Sequence, residues 1–457
     1  MSIQIQAAAP TSDTEVPTTP RRGRIGRIIA GSLLAGATIA LALTLGVFAG
    51  ATESIITGSI LLAFGIGWGL LATLSVRLTT QPQRWAGLPA AAMTASGLLL
   101  LAFQPGHAVL TTVGWVWPVL VLVLAVWMHS RMRRALSGRG RRLLTPVMAV
   151  LALASIGATY ENITVLQNDT TYPATGRTFE VAGHRLHLDC RGSGGPTVVL
   201  FNGLGGVSAS WARITGDVAR TGRVCAYDRA GQGWSEDAEH PQDGVTAATD
   251  LHTLLAKAGE HGPYLLVGHS IGGTYSMTYA ARYPDQVAGL VLLDSSSPEQ
   301  FTRMPDYPGQ YAVMRRITAL TPTLARLGLS RVVAVASPSH LPAEAADRVR
   351  AVTANAHAAR NMRDEVSMLH QVFAQAGALT TLHDLPLAVV TASETLKDTG
   401  WAAAQDQLAT LSGNRMHQVV EASHLGLLED EPAAAESTRA ITEVISAIRT
   451  GSHLESK

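Results

Sequence analysis

Cysteine is nearly absent from this 457-residue sequence, which contains only Cys190 and Cys225. Two thiols cannot build a cysteine-rich zinc site, although they can form one disulfide in an oxidising compartment. Charge is also scarce: Asp, Glu, Lys and Arg make up 15% of the residues, and 35 basic residues face 34 acidic ones. The chain therefore lacks the basic surplus with which nucleic-acid binders attract phosphates. In place of charge there is apolar sequence, 47% of all residues, which points to membrane content. A chain this long is expected to fold as two or three domains.

The lack of charge is concentrated in the N-terminal third. Residues 1–24 are rich in Pro, Thr, Ser and Ala, have little to bury, and are expected to form a disordered cytoplasmic tail. Arg21, Arg22, Arg24 and Arg27 precede Ile28 to Gly50, an uncharged run long enough to cross a bilayer and too long for a signal peptide. Similar runs at Ser54 to Val76, Ala86 to Phe103, Ala108 to Met128 and Leu143 to Thr159 predict about five spans within residues 25–160. Positive charge tests that count, because it collects on the cytoplasmic side. The connections Ala51 to Glu53 and Gln104 to His107 contain no Lys or Arg, whereas the alternate ones hold Arg77 and Arg84, then Arg131, Arg133, Arg134, Arg139, Arg141 and Arg142. A multi-pass protein of the cell membrane is expected, with its N-terminus cytoplasmic and everything after Tyr160 extracytoplasmic. No Asp, Glu, Lys or Arg lies inside a span, so the region reads as an anchor or packing surface in the lipid bilayer rather than a transporter. Its protein partners are not specified by the sequence.

Residues 161–177 are expected as a linker, and from residue 178 the pattern is that of an α/β domain extending to residue 449. Phe179 to Ala182 and His184 to Cys190 alternate around Gly183 as a hairpin does. Short apolar runs follow at Pro196 to Phe201, Arg223 to Tyr227, Leu265 to Val267, Gly289 to Asp294, Leu387 to Thr391 and Met416 to Val420. Strands alternating with helical segments such as Ala248 to Ala258 predict a mostly parallel sheet covered on both faces. Between Asp294 and Leu387 the alternation stops: Pro305 to Leu320, Pro322 to Ala336, Pro342 to Ala359 and Arg363 to Ala376 look helical. They predict a helical cap at about 298–384, and residues 450–457 are expected as a flexible tail.

One stretch carries the chemistry. The apolar run Leu265-Leu266-Val267 ends in Gly268-His269-Ser270-Ile271-Gly272-Gly273 and continues into a helix-compatible segment. This is the layout of a nucleophile elbow, in which a serine occupies a strained strand-to-helix turn and the flanking glycines avoid collisions with neighbouring elements. The helix N-terminus behind Ser270 points backbone N–H groups at that position.

With Tyr227-Asp228-Arg229-Ala230-Gly231-Gln232-Gly233-Trp234-Ser235 upstream and Glu421-Ala422-Ser423-His424 downstream, the chain from about Phe179 to Arg449 resembles the capped serine hydrolases of the α/β-hydrolase superfamily. The membrane region is not part of that resemblance. It implies Ser270 as nucleophile and His424 as general base, which agrees with the need of a serine hydroxyl for a neighbouring imidazole. For the third member, which orients the histidine, Asp294 at a strand's carboxyl end is preferred. The turn used by many family members reads Thr391 to Asp398 here and departs from the usual spacing, so Asp398 and then Glu394 stand as alternatives. The resemblance assigns the oxyanion hole to the N–H groups of Ile271 and Leu204, with Asn202-Gly203-Leu204 replacing the family's His-Gly-x. His269 and His417 read as structural, as do Asp228 and Asp250, with Asp228 and Arg229 as a loop-fixing pair. In this fold the second strand runs beside the fourth, which implies a Cys190–Cys225 disulfide.

The expected function is hydrolysis of an ester, thioester or amide in a small-molecule or lipid-like acyl substrate, through an acyl-enzyme and with neither a metal nor a cofactor. A serine at the elbow disfavours haloalkane dehalogenase and epoxide hydrolase chemistry, for which those relatives use a carboxylate. Acyl transfer to an envelope component and a non-catalytic binding or sensory role are the alternatives.

Overall fold

The computed structural model describes residues 25–136 and 138–454, so the expected N-terminal tail, 1–24, and the end of the expected flexible tail, 455–457, lie outside the described residues. The first part is helical. Helix α1 (Ile25–Leu41) runs on through a π-helical segment, Ala42–Val47, and is followed by α2 (Glu53–Leu78), α3 (Gly87–Phe103), α4 (His107–Gly114), α5 (Trp117–Ala135) and α6 (Gly138–Thr171). Among the described residues, four stretches are long and apolar enough to cross a membrane: Ile25–Val47, Glu53–Leu78, Arg84–Phe103 and Gly138–Thr171. The fourth expected span is instead a broken one, α4 and α5 meeting at 48°. Pro118 in the first turn of α5 has no N–H to carry one helix into the next. Small residues let these helices approach closely: a Cβ on Gly97 would stand 2.7 Å from the Gly58 carbonyl oxygen, and one on Gly67 2.9 Å from that of Ser32.

The linker expected over 161–177 is mostly helix, because α6 runs to Thr171. Tertiary contacts beyond the apolar run hold it: Glu161 forms a buried ion pair with Arg331, and Asn168 Nδ2 donates to the Ala351 carbonyl at 3.1 Å.

Among the described residues, eight strands follow: β1 (Arg177–Val181), β2 (His184–Arg191), β3 (Thr197–Phe201), β4 (Val224–Tyr227), β5 (Tyr264–His269), β6 (Val287–Leu293), β7 (Leu387–Ala392) and β8 (Arg415–Val420). They form one sheet in the order β1-β2-β4-β3-β5-β6-β7-β8. Strand β2 is antiparallel to both of its neighbours, and the pairings from β4 to β8 are parallel. The central strands are buried on both faces, which explains why they read as unbroken apolar runs. Side chains alternate with period two between two cores. Val199, Phe201, Leu266 and Leu292 pack with Leu251 of α8 (Gly244–Ala258) and Tyr279 of α9 (Ile271–Arg282), while Val198, Leu200, Val267 and Val291 pack with Ile214 of α7 (Ala212–Val218) and with Val444 near the end of the domain.

Between β6 and β7 the chain forms α10 (Gln300–Arg303), α11 (Tyr307–Arg326), α12 (Leu329–Ala336), α13 (Ala343–Thr353) and α14 (Ala356–Ala376). Pro322, expected at a helix boundary, lies inside α11. The carbonyl of Thr318, which a residue with an N–H would have reached, accepts the Thr321 hydroxyl instead at 2.8 Å. The break comes later, at Gly328, whose φ of +80° favours glycine.

Cys190 lies directly opposite Cys225 in the β2–β4 register, and the two form a disulfide. Peptide mapping without reductant should recover them as one linked species, and Cys190→Ser should cost about 2–5 kcal/mol of stability in a denaturant melt. Recovery of both as alkylatable thiols would contradict the pairing.

Candidate active site

Strand β5 ends at His269 and α9 begins at Ile271, so Ser270 alone makes the turn, at φ 56° and ψ −128°. For a non-glycine residue this conformation costs on the order of 1–3 kcal/mol. The surroundings enforce it. Ser270 N donates to the Leu293 carbonyl at 3.1 Å, and its own carbonyl accepts the amides of Ser296 at 3.0 Å and Gly273 at 3.1 Å. The glycines are steric necessities: a Cβ on Gly268 would come within 2.5 Å of Gly273 Cα, and one on Gly272 within 2.1 Å of the Phe201 oxygen.

Asp294 follows β6 directly and is itself left-handed, at φ 43°. Its carboxylate is sealed from solvent and fully engaged. Oδ1 accepts from Ala392 N at 3.2 Å, Thr395 Oγ1 at 2.9 Å and Trp401 Nε1 at 2.9 Å, and Oδ2 accepts from His424 Nδ1 at 2.6 Å. His424 lies in the turn after β8, with its side chain one-third exposed. With Nδ1–H held by the carboxylate, Nε2 is the nitrogen free to take a proton. Among the described residues no hydrogen bond joins Ser270 Oγ to His424, a contact that in such sites often tightens only when substrate binds. Asp398 and Glu394 are exposed on the turn after β7, and neither bonds His424. That turn supplies Asp294 with Thr395 and the Ala392 amide instead.

His269 is buried, and its Nε2 donates to the His424 carbonyl at 2.9 Å. Burial, reinforced by the neighbouring imidazole of His424, pushes its pKa down to about 3, so it stays neutral. His417 bonds Thr391 Oγ1 at 2.9 Å within the sheet, away from Ser270.

The turn after β3 lies against the elbow, since a Cβ on Gly203 would stand 3.2 Å from Ser270 Cβ. Asn202 anchors this turn by donating to the Tyr227 carbonyl at 2.8 Å and accepting from Trp211 Nε1 at 2.7 Å. The Leu204 N–H makes no hydrogen bond among the described residues, whereas the next amide, Gly205, donates to Glu365 at 3.0 Å. Ile271 is the first residue of α9, so its N–H is one of those that no carbonyl of the helix can reach.

The expected Asp228–Arg229 pair does not form; each fixes the loop through another partner. Asp228 accepts from His187 Nδ1 at 2.8 Å, Ser208 N at 2.6 Å and Trp234 N at 3.2 Å. Burial alone would lower the His187 pKa, but its bond to Asp228 prevails and raises it. Arg229 donates to the carbonyls of Asn202 at 2.7 Å and Gly203 at 3.0 Å, and pairs with Glu365 of α14 at 2.5 Å. Sequence reading missed Glu365, Thr395 and Trp401. Only Glu365 left a signal, as an acidic residue in helical register with the buried Leu369 and Val372.

A cavity of about 260 Å³ lies beside this ion pair, lined by Arg229, Gln232, Tyr275, Arg360 and Glu365 together with Thr52 from the membrane-type region. Ser270, Asp294 and His424 do not line it. The grouping of Cys190, Cys225 and Glu260 offers no metal site, because its sulfurs form the disulfide and Glu260 pairs with Arg223 at 2.5 Å.

Residues 196–319 match the family model described as alpha/beta hydrolase fold. An uncharacterized protein of Schizosaccharomyces pombe is 28% identical over 214 residues, 46% of this chain and 39% of that protein. The 2-hydroxymuconate semialdehyde hydrolase of Pseudomonas sp. strain CF600 is 31% identical over 152 residues, 32% of this chain and 54% of that enzyme. The chain thus spans about half or less of the length of these curated relatives. Among solved structures, the Cif epoxide hydrolase of Acinetobacter nosocomialis aligns with a TM-score of 0.50 at 15% identity over 63% of this chain and 96% of that one, a likeness of fold. With this strand order, this elbow and the family-model match over residues 196–319, the chain from Arg177 to Thr450 has the α/β-hydrolase fold, preceded by helices long and apolar enough to cross a membrane.

Proposed function

We propose that this protein is a membrane-anchored, extracytoplasmic serine hydrolase that cleaves an ester, thioester or amide of a small-molecule or lipid-like acyl substrate. The observation that carries the proposal is the 2.6 Å Asp294–His424 hydrogen bond at the strand ends beside the strained Ser270 turn. Ser270 Oγ attacks the substrate carbonyl carbon as its proton passes to His424 Nε2. Asp294 stabilises the imidazolium and keeps the ring in the productive tautomer. The N–H groups of Ile271 and Leu204 receive the oxyanion, and His424 returns the proton to the leaving group as the acyl bond breaks. Water activated by the same imidazole then releases the acid and restores Ser270.

The buried Arg229–Glu365 pair has a positioning role in this scheme. Arg229 grips the carbonyls of Asn202 and Gly203, and Glu365 grips the amide of Gly205, so Leu204 lies between two fixed points.

Placement outside the cytoplasm is supported by the arginine distribution and by where the domain docks. Arg316 Nε donates to the Leu45 carbonyl at 2.9 Å, and Arg326 pairs with Glu53, so the cap meets the helix ends whose connection lacks Lys and Arg. The disulfide fits an oxidising compartment.

Four outcomes test the proposal. Wild-type protein should label with a fluorophosphonate and Ser270→Ala should not; Asp294→Asn should lower kcat on the order of 10⁴-fold by releasing the wrong tautomer, whereas Asp398→Asn should leave it within about twofold. Serine-independent labelling, or an Asp398→Asn defect equal to that of Asp294→Asn, contradicts the assignment. Glu365→Gln should lower kcat on the order of tenfold with little change in KM, since an oxyanion donor is misplaced rather than substrate binding lost; a change confined to KM would assign Glu365 to substrate contact. A phosphatase reporter fused after Tyr172 should be active only through export, and a cytoplasmic signal there would overturn the orientation.

A further inference from the structure

The cap carries an apolar face that the hydrolase scheme does not use. On α11, Val313, Ile317, Leu320 and Leu324 recur at helical spacing, and Val313, Ile317 and Leu324 are exposed, Ile317 at 56%. On α12, Leu329, Val332, Val333 and Val335 are exposed, Val332 at 68% and Val335 at 75%. Taken together, α11 and α12 are long and apolar enough to count as a membrane-crossing pair, but they are bent through 104°. A pair folded back so sharply is suited to entering one leaflet and returning.

Two further observations identify the occupant of this face. The first is continuity with the helices read as membrane spans. Thr323 bonds Thr57 of α2 at 2.8 Å, and a Cβ on Gly157 of α6 would stand 2.3 Å from the Leu327 carbonyl oxygen, so the α11–α12 turn is seated against the last turn of an apolar run. Beside it, Ile156, Tyr160, Ile163 and Leu166 of α6 are exposed too. The second is the treatment of charge. Arg326 and Arg331, the charged residues at the bend, turn inward and are paired with Glu53 and Glu161, both buried. Apolar side chains outward with ion pairs inward is the arrangement a protein adopts toward lipid, not toward water.

We propose that α11 and α12 are immersed in the outer leaflet of the bilayer, so that the cap of the catalytic domain faces acyl chains directly. The proposal rests on the reading of α1 to α6 as spans with the hydrolase domain outside. It makes the membrane a source of substrate: an acyl compound dissolved in the leaflet reaches the cap sideways, without first entering water.

The test uses the full chain in phosphatidylcholine–phosphatidylglycerol liposomes with a nitroxide at Ile317→Cys or Val332→Cys, the native cysteines being held in their disulfide. Val123→Cys on the exposed face of α5 and Thr410→Cys at the surface of the hydrolase domain are the references. Collisional relaxation by oxygen and by a water-soluble nickel chelate should place the Ile317 and Val332 labels with Val123, oxygen-rich and nickel-poor. Labels that behave like Thr410 while Val123 remains oxygen-rich overturn the immersion and leave the spans standing. A Val123 label that itself behaves like Thr410 overturns both. Shielding of Ile317 and Val332 from both relaxants would mean that protein, such as a second copy, covers the face, and would also overturn the proposal.

Discussion

Ser270 is held in a backbone conformation that an L-amino acid resists, and the sheet exists around that fact. The two strands beside β5 each contribute to it. Strand β6 and the residues after it hold the elbow through the Leu293 carbonyl and the Ser296 amide. The end of β3 presses so closely on Gly272 that no side chain fits there. The energy stored in one residue is thus distributed over parallel strands whose apolar cores cannot relax without losing burial on both faces. The turn leaves Ser270 half-buried at the carboxyl end of a strand whose residues are all buried.

A second constraint joins the cap to that hydroxyl. Glu365 belongs to a cap helix, yet its carboxylate binds Arg229 and the Gly205 amide next to the elbow. The pair is buried, so removing either partner strands the other without compensation, a loss larger than the net worth of the pair. Opening the cap far enough to break this contact would loosen the turn that carries Leu204. Cap position and the geometry of the proposed oxyanion hole are therefore mechanically linked.

The parts of the structure that were legible in the sequence are those specified locally. The elbow is contiguous, the strands are apolar runs bounded by turns, and the cap interrupts their alternation. Asp294 closes a strand, and its carboxylate accepts from His424 Nδ1 at 2.6 Å. The parts that were not legible depend on partners far away in the chain. Thr395 and Trp401 reach Asp294 across 101 and 107 residues. Asp228 takes His187 rather than its neighbour, and α6 outlasts its apolar run because Arg331, 170 residues later, neutralises Glu161. Proline misled as well: Pro322 reads as a boundary, but the Thr321 hydroxyl repairs the gap it leaves in α11.

The length of α6 has a consequence of its own. Its 34 residues form one helix of about 50 Å, at ~1.5 Å per residue, that leaves the apolar bundle and ends six residues before β1. A string of loop would let the domain wander through a hemisphere of solution, whereas a rod pinned at both ends fixes its height and its compass bearing. Under the proposed membrane anchoring, the concentration that matters to the proposed hydrolase is the number of substrate molecules per unit area of membrane. Stirring the bulk would change little, and thinning the bilayer or diluting the substrate within it would change a great deal.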